Sequence, residues 1–317
     1  MIRFFLIWSM MICSVKAQLY VADPFILKVD QTYYLYGTDD KNAKGGFPVY
    51  TSTDMIHWSG PAGNGANGLA LAKGESFGTK GFWAPMVVNY KGIYYMYYTA
   101  DEKIAVATSE SPLGPFKQSN FQPVIGGNTK EIDPHVFIDE NGQKFIYFAR
   151  LINGNRTYGA ELNDDMQTIK ETSIVECISY SQPWEVTSGK EWPVTEAPAM
   201  IKNQQKYYLF YTGNDFRSPA YNVGYAVSDS PLGPFKKYEH NPIIKQDQVV
   251  QGTGGCEFVT NSDNELIMVY HAHNGPGKPT PRKTVISKTM FFSEQGSDNI
   301  IFKVSDKKTF LKLQKLP

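Results

Sequence analysis

The sequence predicts an all-β protein, a five-bladed β-propeller, and two observations support this prediction. Aromatic residues make up 14% of the 317-residue chain, with 20 Tyr and 19 Phe, and such residues favour strands. Five similar segments of roughly 50–60 residues also follow one another, and such repeats of short strands are typical of propeller blades. A β-sandwich is the alternative, but sandwiches do not usually show self-similarity at this period.

Each segment follows one plan. A short apolar strand meets a polar turn, a second strand rich in Tyr, Phe and Ile follows, and a third strand of small and β-branched residues ends the unit. The first strands begin DPFILKV, APMVVNY, DPHVFID, APAMIKN and GCEFVTN. The hexamer SPLGPF also occurs twice, at 111–116 and 230–235, which supports a true repeat.

Two stretches, 171–195 and 297–317, fit the repeat poorly. We expect the second to pair with the first blade and so to close the ring.

The amino terminus has the features of a secretory signal. Arg3 precedes the apolar stretch 4–12, and Val15-Lys16-Ala17 is a small-x-small cleavage site before Gln18. The stretch is too short to span a bilayer. A buried strand or helix is the alternative, and bulky Ile12 disfavours a lipoprotein anchored through Cys13. We therefore expect a signal peptide at 1–17, a catalytic propeller domain at 18–317, and a secreted or periplasmic location.

Charge and cysteine content exclude several classes of protein. Lys and Arg total 31, as do Asp and Glu, so nothing indicates nucleic acid or an anionic membrane surface as partner. We expect a monomer.

Beyond the signal, Cys177 and Cys256 show neither a disulfide framework nor metal-ligand spacing. We interpret both as buried apolar residues, and a bridge between them stays open.

The acids of the repeat indicate a site. Four repeats align on an early proline, and the residue before it is Asp23, Ala84, Asp133 or Ala197. Because two repeats hold alanine there, turn chemistry alone does not require an acid. The fourth repeat carries its acid one position earlier, as Glu196. First strands line the central channel of a propeller, so the three acids should converge on one pocket.

Clustered carboxylates suit glycoside hydrolysis. Their repulsion raises at least one pKa, and a protonated and an ionised carboxyl flanking one bond are what the reaction requires. We expect Glu196 to donate a proton, one Asp to activate water, and the other Asp to tune the pKa of the donor.

The motifs ADPFI, EIDPHVF, TEAPAMI and MVYHAHN, in this order, resemble glycoside hydrolase family 43, the inverting arabinanase, arabinofuranosidase and β-xylosidase family. The resemblance covers nearly the whole chain after the signal. It implies a five-bladed propeller with Asp23 as general base, Asp133 as pKa modulator and Glu196 as general acid. The base and acid carboxyls should then lie roughly 6.5–9.5 Å apart.

The resemblance also implies substrate-binding residues. Trp83, in FWAP, would contact the sugar at the channel mouth, although a core or rim tryptophan is the alternative. His271 would order water or a metal ion near the channel centre, with a core histidine, or a role for His273 instead, as alternatives. Arg282 would point at the terminal sugar, and its alternative is a solvated surface arginine.

The resemblance leaves the metal open. Some arabinanases of the family hold calcium beneath the active site, but the sequence has no Asp-rich loop of calcium-binding spacing. We expect no required cofactor, with calcium possible at the channel centre.

The expected substrate is an oligo- or polysaccharide of plant origin with α-L-arabinofuranosyl linkages. The alternatives are a β-xyloside or a galactose-based substrate such as a galactofuranoside or galactan. A retaining fructan hydrolase is disfavoured because its NDPNG and RDP motifs are absent, and a sugar-binding propeller without catalysis is disfavoured by the intact acids. The rim loops 39–47, 59–81 and 213–221 should set sugar and linkage.

Overall fold

The computed structural model describes residues 16–187, 189–293 and 300–314, and their regular structure is almost entirely β-strand. The all-β prediction is therefore confirmed. The helical segments among these residues are single 3-10 turns: Ala66–Gly68, Glu171–Ser173 and Pro183–Glu185. Within the same residues, no helix has the length and apolarity needed to cross a membrane. Residues 1–15 of the predicted signal lie outside the described residues.

The strands are numbered in chain order. Those of the first two repeats are β1 (Lys16–Gln18), β2 (Ala22–Val29), β3 (Thr32–Thr38), β4 (Gly46–Pro48), β5 (Tyr50–Ser52), β6 (His57–Trp58), β7 (Leu69–Ala72), β8 (Trp83–Tyr90), β9 (Ile93–Ala100) and β10 (Lys103–Ser109). Those of the next two are β11 (Glu131–Ile138), β12 (Lys144–Leu151), β13 (Asn155–Glu161), β14 (Val175–Ile178), β15 (Thr195–Asn203), β16 (Lys206–Gly213), β17 (Asn222–Ser228) and β18 (Lys236–Lys237). The last are β19 (Gly254–Thr260), β20 (Leu266–Ala272), β21 (Lys283–Ser293), β22 (Ile300–Val304), β23 (Thr309–Phe310) and β24 (Lys312–Gln314).

Each repeat forms an antiparallel sheet that begins with its apolar first strand. In the described part of the chain these sheets have the strand orders β2-β3-β5, β8-β9-β10, β11-β12-β13-β14, β15-β16-β17-β18 and β19-β20-β21-β22. We call them the first to fifth sheets. The first strand of each sheet contacts the first strand of the next, and β19 of the fifth sheet contacts β2 of the first. All five first strands therefore surround a common centre.

Polar contacts between sheets explain the repeated hexamer. The hydroxyl of Tyr36, on the second strand of the first sheet, donates a hydrogen bond to the carbonyl of Pro112 after the second sheet. Tyr147, at the matching position of the third sheet, donates to the carbonyl of Pro231 at 2.7 Å. Both hexamers thus satisfy a tyrosine hydroxyl that comes from the preceding sheet.

The carboxyl-terminal tail pairs with strands from both the last and the first repeat. Strand β23 pairs with β21 of the fifth sheet, while β24 pairs with β1 and runs parallel to β6 from the first repeat. Strand β24 thus pairs with the first repeat, as expected, through β6, which lies outside the first sheet. Closure of the ring by the tail stays a prediction. Lys16 and Ala17, the last two residues of the predicted signal, belong to β1.

The interior agrees with the interpretation of the cysteines. Cys177 and Cys256 are both buried and unbridged, and each packs within a hydrophobic cluster. Burial raises the pKa of the Cys177 thiol to about 12, so this thiol stays protonated and behaves as a small apolar group.

Candidate active site

All five first strands carry the same β-bulge near their beginning. The strand register shifts between Ala22 and Phe25 in the first sheet, and at the matching residues of the other four. The residue inside each bulge has a positive φ, at 44° for Asp23, 44° for Ala84, 58° for Asp133, 49° for Ala197 and 56° for Gly255. Non-glycine residues adopt this conformation only where the surrounding structure enforces it. The bulge is therefore a property of the fold, and the acids are additions to it.

Side chains from the preceding sheet hold the bulges in place. The backbone N–H of Ala84 donates to Thr38 Oγ1 at 2.9 Å, that of Asp133 to Thr99 Oγ1 at 2.9 Å, and that of Gly255 to Thr212 Oγ1 at 3.1 Å. In each case the threonine lies opposite the residue that precedes the bulge of its own sheet. We call these hydrogen bonds the bulge caps.

Two bulge caps depart from the threonine pattern. In the fifth sheet the matching residue is His271, whose Nδ1 accepts the N–H of Asp23 at 3.2 Å. In the third sheet it is Ala149, which has no polar side chain. The N–H of Ala197 donates instead to Oδ2 of Asp133 at 3.1 Å. Asp133 thus takes the place of the missing threonine.

The structure brings the three predicted acids together around the common centre. Asp23 and Asp133 line one cavity of about 30 Å³, enough for roughly two water molecules. Ala197, next to Glu196, lines the same cavity. Burial raises the pKa of Asp133, and the negative charges of Glu196 and Asp23 raise it further.

Asp23 is held in its ionised form. Arg282 Nη1 lies 3.0 Å from Asp23 Oδ1, and Thr38 Oγ1 donates to Oδ2 at 2.7 Å. Burial alone would raise the pKa of this carboxyl. The guanidinium charge and the hydrogen bonds outweigh burial, so the pKa lies well below its usual range.

Arg282 is shared between two carboxylates. Its Nη2 lies 2.9 Å from Oδ1 of Asp40, and its backbone N–H donates to Oδ2 of Asp40 at 2.7 Å. The guanidinium carbon also lies 5.7 Å from the ring centre of Phe216, a cation–π contact. Arg282 is only 8% exposed, so its interpretation as a solvated surface residue is wrong.

Glu196 has the opposite electrostatic environment. Tyr221 Oη donates to Oε1 at 2.8 Å, and Asn155 Nδ2 donates to Oε2 at 2.5 Å. Burial dominates, however, and the negative charge of Asp23 adds to it, so the pKa of Glu196 is raised to about 7. Burial likewise raises the pKa of Asp133. Asp133 and Glu196 titrate as a pair, and the pair keeps a proton near neutral pH.

The two histidines of the VYHAH stretch lie in different surroundings. His271 is fully buried beside Asp23 and stacks on Tyr221 with ring centres 5.8 Å apart. Burial, followed by the charge of Arg282, lowers the pKa of His271, so the ring is neutral. His273 instead contacts the carbonyl oxygen of Phe216 at 2.8 Å. Of the two, His271 belongs to the carboxylate cluster.

Trp83 begins β8 and pairs with Thr99. It therefore holds the position in the second sheet that Glu196, paired with Thr212, holds in the fourth. The backbone thus directs both residues to the same end of the common centre.

Across 16–187, 189–293 and 300–314, no group of three or more His, Cys, Asp or Glu side chains is arranged to hold a metal ion. Calcium at the channel centre stays a prediction.

Several site residues were missed by the sequence analysis: Thr38, Asp40, Asn155, Trp192 and Tyr221. Thr38 could have been found from the repeat. A threonine lies at or near the end of the second strand in three repeats, as Thr38, Thr99 and Thr212. Asp40 and Tyr221 lie within two of the rim loops named above, but single polar residues there have no pattern. Asn155 and Trp192 lie where the repeats differ.

Known proteins resemble this chain in sequence and in structure. The family described as Glycosyl hydrolases family 43 matches residues 15–296. A crystal structure described as an endo-1,4-beta-xylanase from Bacteroides thetaiotaomicron superposes with a TM-score of 0.85 at 34% identity, covering 95% of this chain and 100% of that one.

Two further relatives are less similar in sequence. An arabinoxylan arabinofuranohydrolase of Paenibacillus polymyxa is 26% identical over 79% of this chain, and an extracellular endo-alpha-(1->5)-L-arabinanase of Bacillus subtilis is 26% identical over 75%. The chain spans only 44% and 53% of their lengths. Because the family match covers most of the sequence, this protein belongs to glycosyl hydrolase family 43 and is a hydrolase of glycosidic bonds.

Proposed function

We propose that the protein is an inverting glycoside hydrolase in which Glu196 is the general acid and Asp23 the general base. One observation carries this proposal: within one buried cluster, Asp23 contacts the guanidinium of Arg282, whereas the carboxyl of Glu196 accepts hydrogen bonds from neutral donors, Tyr221 and Asn155. Arg282 keeps Asp23 ionised, whereas burial raises the pKa of Glu196 to about 7. One group can therefore accept a proton while the other donates one.

In this mechanism, Glu196 gives its proton to the glycosidic oxygen as the bond from that oxygen to the anomeric carbon breaks. Asp23 removes a proton from a water molecule, whose oxygen bonds to the same carbon from the opposite face. The anomeric configuration inverts. Asp23 then gives its new proton to solvent water and Glu196 takes a proton from solvent water, so both carboxyls return to their starting states. The mechanism requires a spacing of roughly 6.5–9.5 Å between the two carboxyls.

Asp133 acts as the pKa modulator. Its carboxylate accepts the N–H of Ala197, the residue after Glu196, and so fixes the backbone that carries the acid. After burial, the charge of Glu196 raises the pKa of Asp133, and because this repulsion is mutual, ionisation of either carboxyl opposes ionisation of the other.

Three further residues support substrate binding in this proposal. Trp83 offers an aromatic face at the position equivalent to Glu196. His271 holds the backbone of Asp23, and Arg282 fixes its carboxylate beside the sugar that is cleaved.

The proposed scaffold is a five-bladed β-propeller spanning 18–317. Contacts between the first strands in cyclic order, and the bulge cap from His271 to Asp23 between the fifth and first sheets, support it. The predicted signal, and the extracellular description of the Bacillus subtilis relative, support secretion or export to a periplasm.

The proposed substrate carries α-L-arabinofuranosyl linkages. The Paenibacillus polymyxa relative, described as acting on arabinoxylan, and the arabinanase of Bacillus subtilis support this choice. A β-1,4-xylosyl substrate is the second candidate, because the 34% identical structure is described as a xylanase.

The proposal is tested with nitrophenyl α-L-arabinofuranoside, β-D-xyloside and β-D-galactofuranoside together with linear arabinan, branched arabinan and arabinoxylan. We expect release of arabinose, and we expect ¹H NMR to show the inverted anomer before mutarotation. Release of the retained anomer would contradict the mechanism. Sugar binding without hydrolysis of any of these substrates would contradict the proposed activity.

A further inference from the structure

Two consecutive hydrogen bonds connect Glu196 to the surface. Asn155 Nδ2 donates to Glu196 Oε2 at 2.5 Å, and Trp192 Nε1 donates to Asn155 Oδ1 at 2.8 Å. The proposed mechanism uses neither Asn155 nor Trp192. Asn155 begins β13, and Trp192 lies in the segment 171–195, which fits the repeat poorly.

The indole determines which way the amide of Asn155 faces. An indole N–H can only donate, so the atom that receives it must be the amide oxygen. The amide NH₂ is then directed at Glu196, where it stabilises the ionised carboxylate. Without the indole N–H, the amide can rotate and present its oxygen to Glu196. An oxygen in that place would favour the protonated carboxyl.

The indole also offers a binding surface. Trp192 is 48% exposed although its N–H is satisfied. The backbone that follows Trp192 is fixed, since Asn155 N–H donates to the carbonyl of Pro193 at 2.9 Å and Asn155 forms a β-bridge with Val194. An ordered, exposed aromatic face suits the apolar side of a sugar ring. The departing sugar must lie beside Glu196, because Glu196 protonates its oxygen.

We propose that Trp192 forms the subsite for the departing sugar and, through Asn155, positions the proton donor. The proposal rests on the proposed function of Glu196. Trp192 is a specificity residue through its ring face and a positioning residue through its N–H, so the two roles can be separated by substitution.

The other groups that face Glu196 do not depend on Trp192. Among the described residues these charged and titratable groups are Asp23, Asp133, Tyr221 and Arg282. A substitution of Trp192 leaves all four in place. A change in the titration of Glu196 would therefore report the amide of Asn155.

The positioning role is tested by Trp192→Phe, which keeps an aromatic ring but removes the N–H. Hydrolysis of an oligosaccharide of the proposed substrate class is first measured with the wild type. Failure of the proposed function is then recognised before any variant is compared. We expect the alkaline limb of the pH profile of kcat/KM to move upward by about one pH unit. Trp184→Phe is the matched control, because Trp184 Nε1 donates to another amide oxygen, Gln182 Oε1, also at 2.8 Å. Its alkaline limb should match that of the wild type.

The subsite role is tested by Trp192→Ala, which removes both ring and N–H. We expect KM for the oligosaccharide to rise roughly tenfold, against less than twofold for Trp192→Phe. Phe121→Ala is the control for loss of an exposed aromatic ring, because Phe121 is 45% exposed and lies in the segment between β10 and β11.

Asn155→Ala provides a second test of positioning. It removes the donor directly and should also move the alkaline limb upward. If Trp192→Phe and Asn155→Ala both keep the wild-type limb, the positioning role is overturned. If Trp192→Ala keeps the wild-type KM, the subsite is overturned. Thermal unfolding of each variant confirms that folded protein is compared.

Discussion

Arg282 lies 3.0 Å from Oδ1 of Asp23 and is held from its other side by Asp40, so one buried cation serves two carboxylates. This arrangement sets the strength of the proposed base. If the guanidinium were paired with Asp23 alone, the proton affinity of Asp23 would be lower still. A weaker base removes a proton from water less effectively. Asp40 therefore moderates the effect of Arg282 on Asp23.

Replacing Arg282 with Gln should raise the pKa of Asp23. Activity requires ionised Asp23, so the acidic limb of kcat/KM should move upward by at least about one pH unit. The variant should also lose roughly 3–5 kcal/mol of stability, because it leaves buried carboxylates unpaired. A pH profile and urea unfolding measure the two effects. Arg217→Gln, which removes an exposed arginine paired with Asp215, is the control and should change neither.

Replacing Asp40 with Asn should have the opposite effect on the base. The full charge of Arg282 then acts on Asp23, whose pKa falls further, and kcat should decrease roughly tenfold. The acidic limb should move downward or leave the measurable range. Steady-state kinetics between pH 4 and pH 8 test this. A kcat equal to that of the wild type would show that Asp40 does not moderate the base.

Replacing Glu196 with Gln should stabilise the fold, but only at higher pH. Burial raises the pKa of Glu196 from 4.5 to about 7 in the folded protein. Its contribution to stability is thus fully present below pH 4.5 and is lost as the pH rises through 7. The variant lacks this loss, so it should exceed the wild type by about 3 kcal/mol at pH 8 and by less than about 1 kcal/mol at pH 5. Urea unfolding at both pH values is the measurement, and equal differences at both would contradict the assignment.

Replacing Ala149 with Thr should supply the missing bulge cap. The new hydroxyl would accept the N–H of Ala197, as Thr212 accepts that of Gly255. Asp133 would lose this hydrogen bond, so its carboxylate would be less well fixed and kcat/KM should fall roughly tenfold. Ala149→Val has the same shape without the hydroxyl and should retain more activity. Equal losses in both variants would indicate that crowding alone is responsible.

The repeat made much of the fold and part of the site predictable. Aligned segments placed the strands, and alanine at positions 84 and 197 showed that the acids serve something other than the turn. The bulge explains this result, because its positive φ is met in all five sheets whether or not an acid is present. Where residues follow the repeat, positions that align in sequence occupy equivalent places in their sheets.

The rest of the site depends on contacts between residues that the repeat does not relate. Asp40 pairs with Arg282, which lies 242 positions away in the sequence. Trp192, in the segment 171–195, donates a hydrogen bond to Asn155. A single polar residue in a loop gives no indication of its partner. The burial of Arg282 also required the structure, because sequence cannot show that two carboxylates compensate its charge.

The proton-donor role of Glu196 is tested most directly by the kcat/KM of Glu196→Ala on two glycosides of the same sugar. One is an oligosaccharide, whose leaving group needs a proton, and the other is a dinitrophenyl glycoside, whose leaving group needs none. We predict a loss of about 10²–10⁴-fold on the oligosaccharide and a far smaller loss on the dinitrophenyl glycoside. Equal losses on both substrates would contradict the assignment of Glu196 as the acid in this carboxylate cluster.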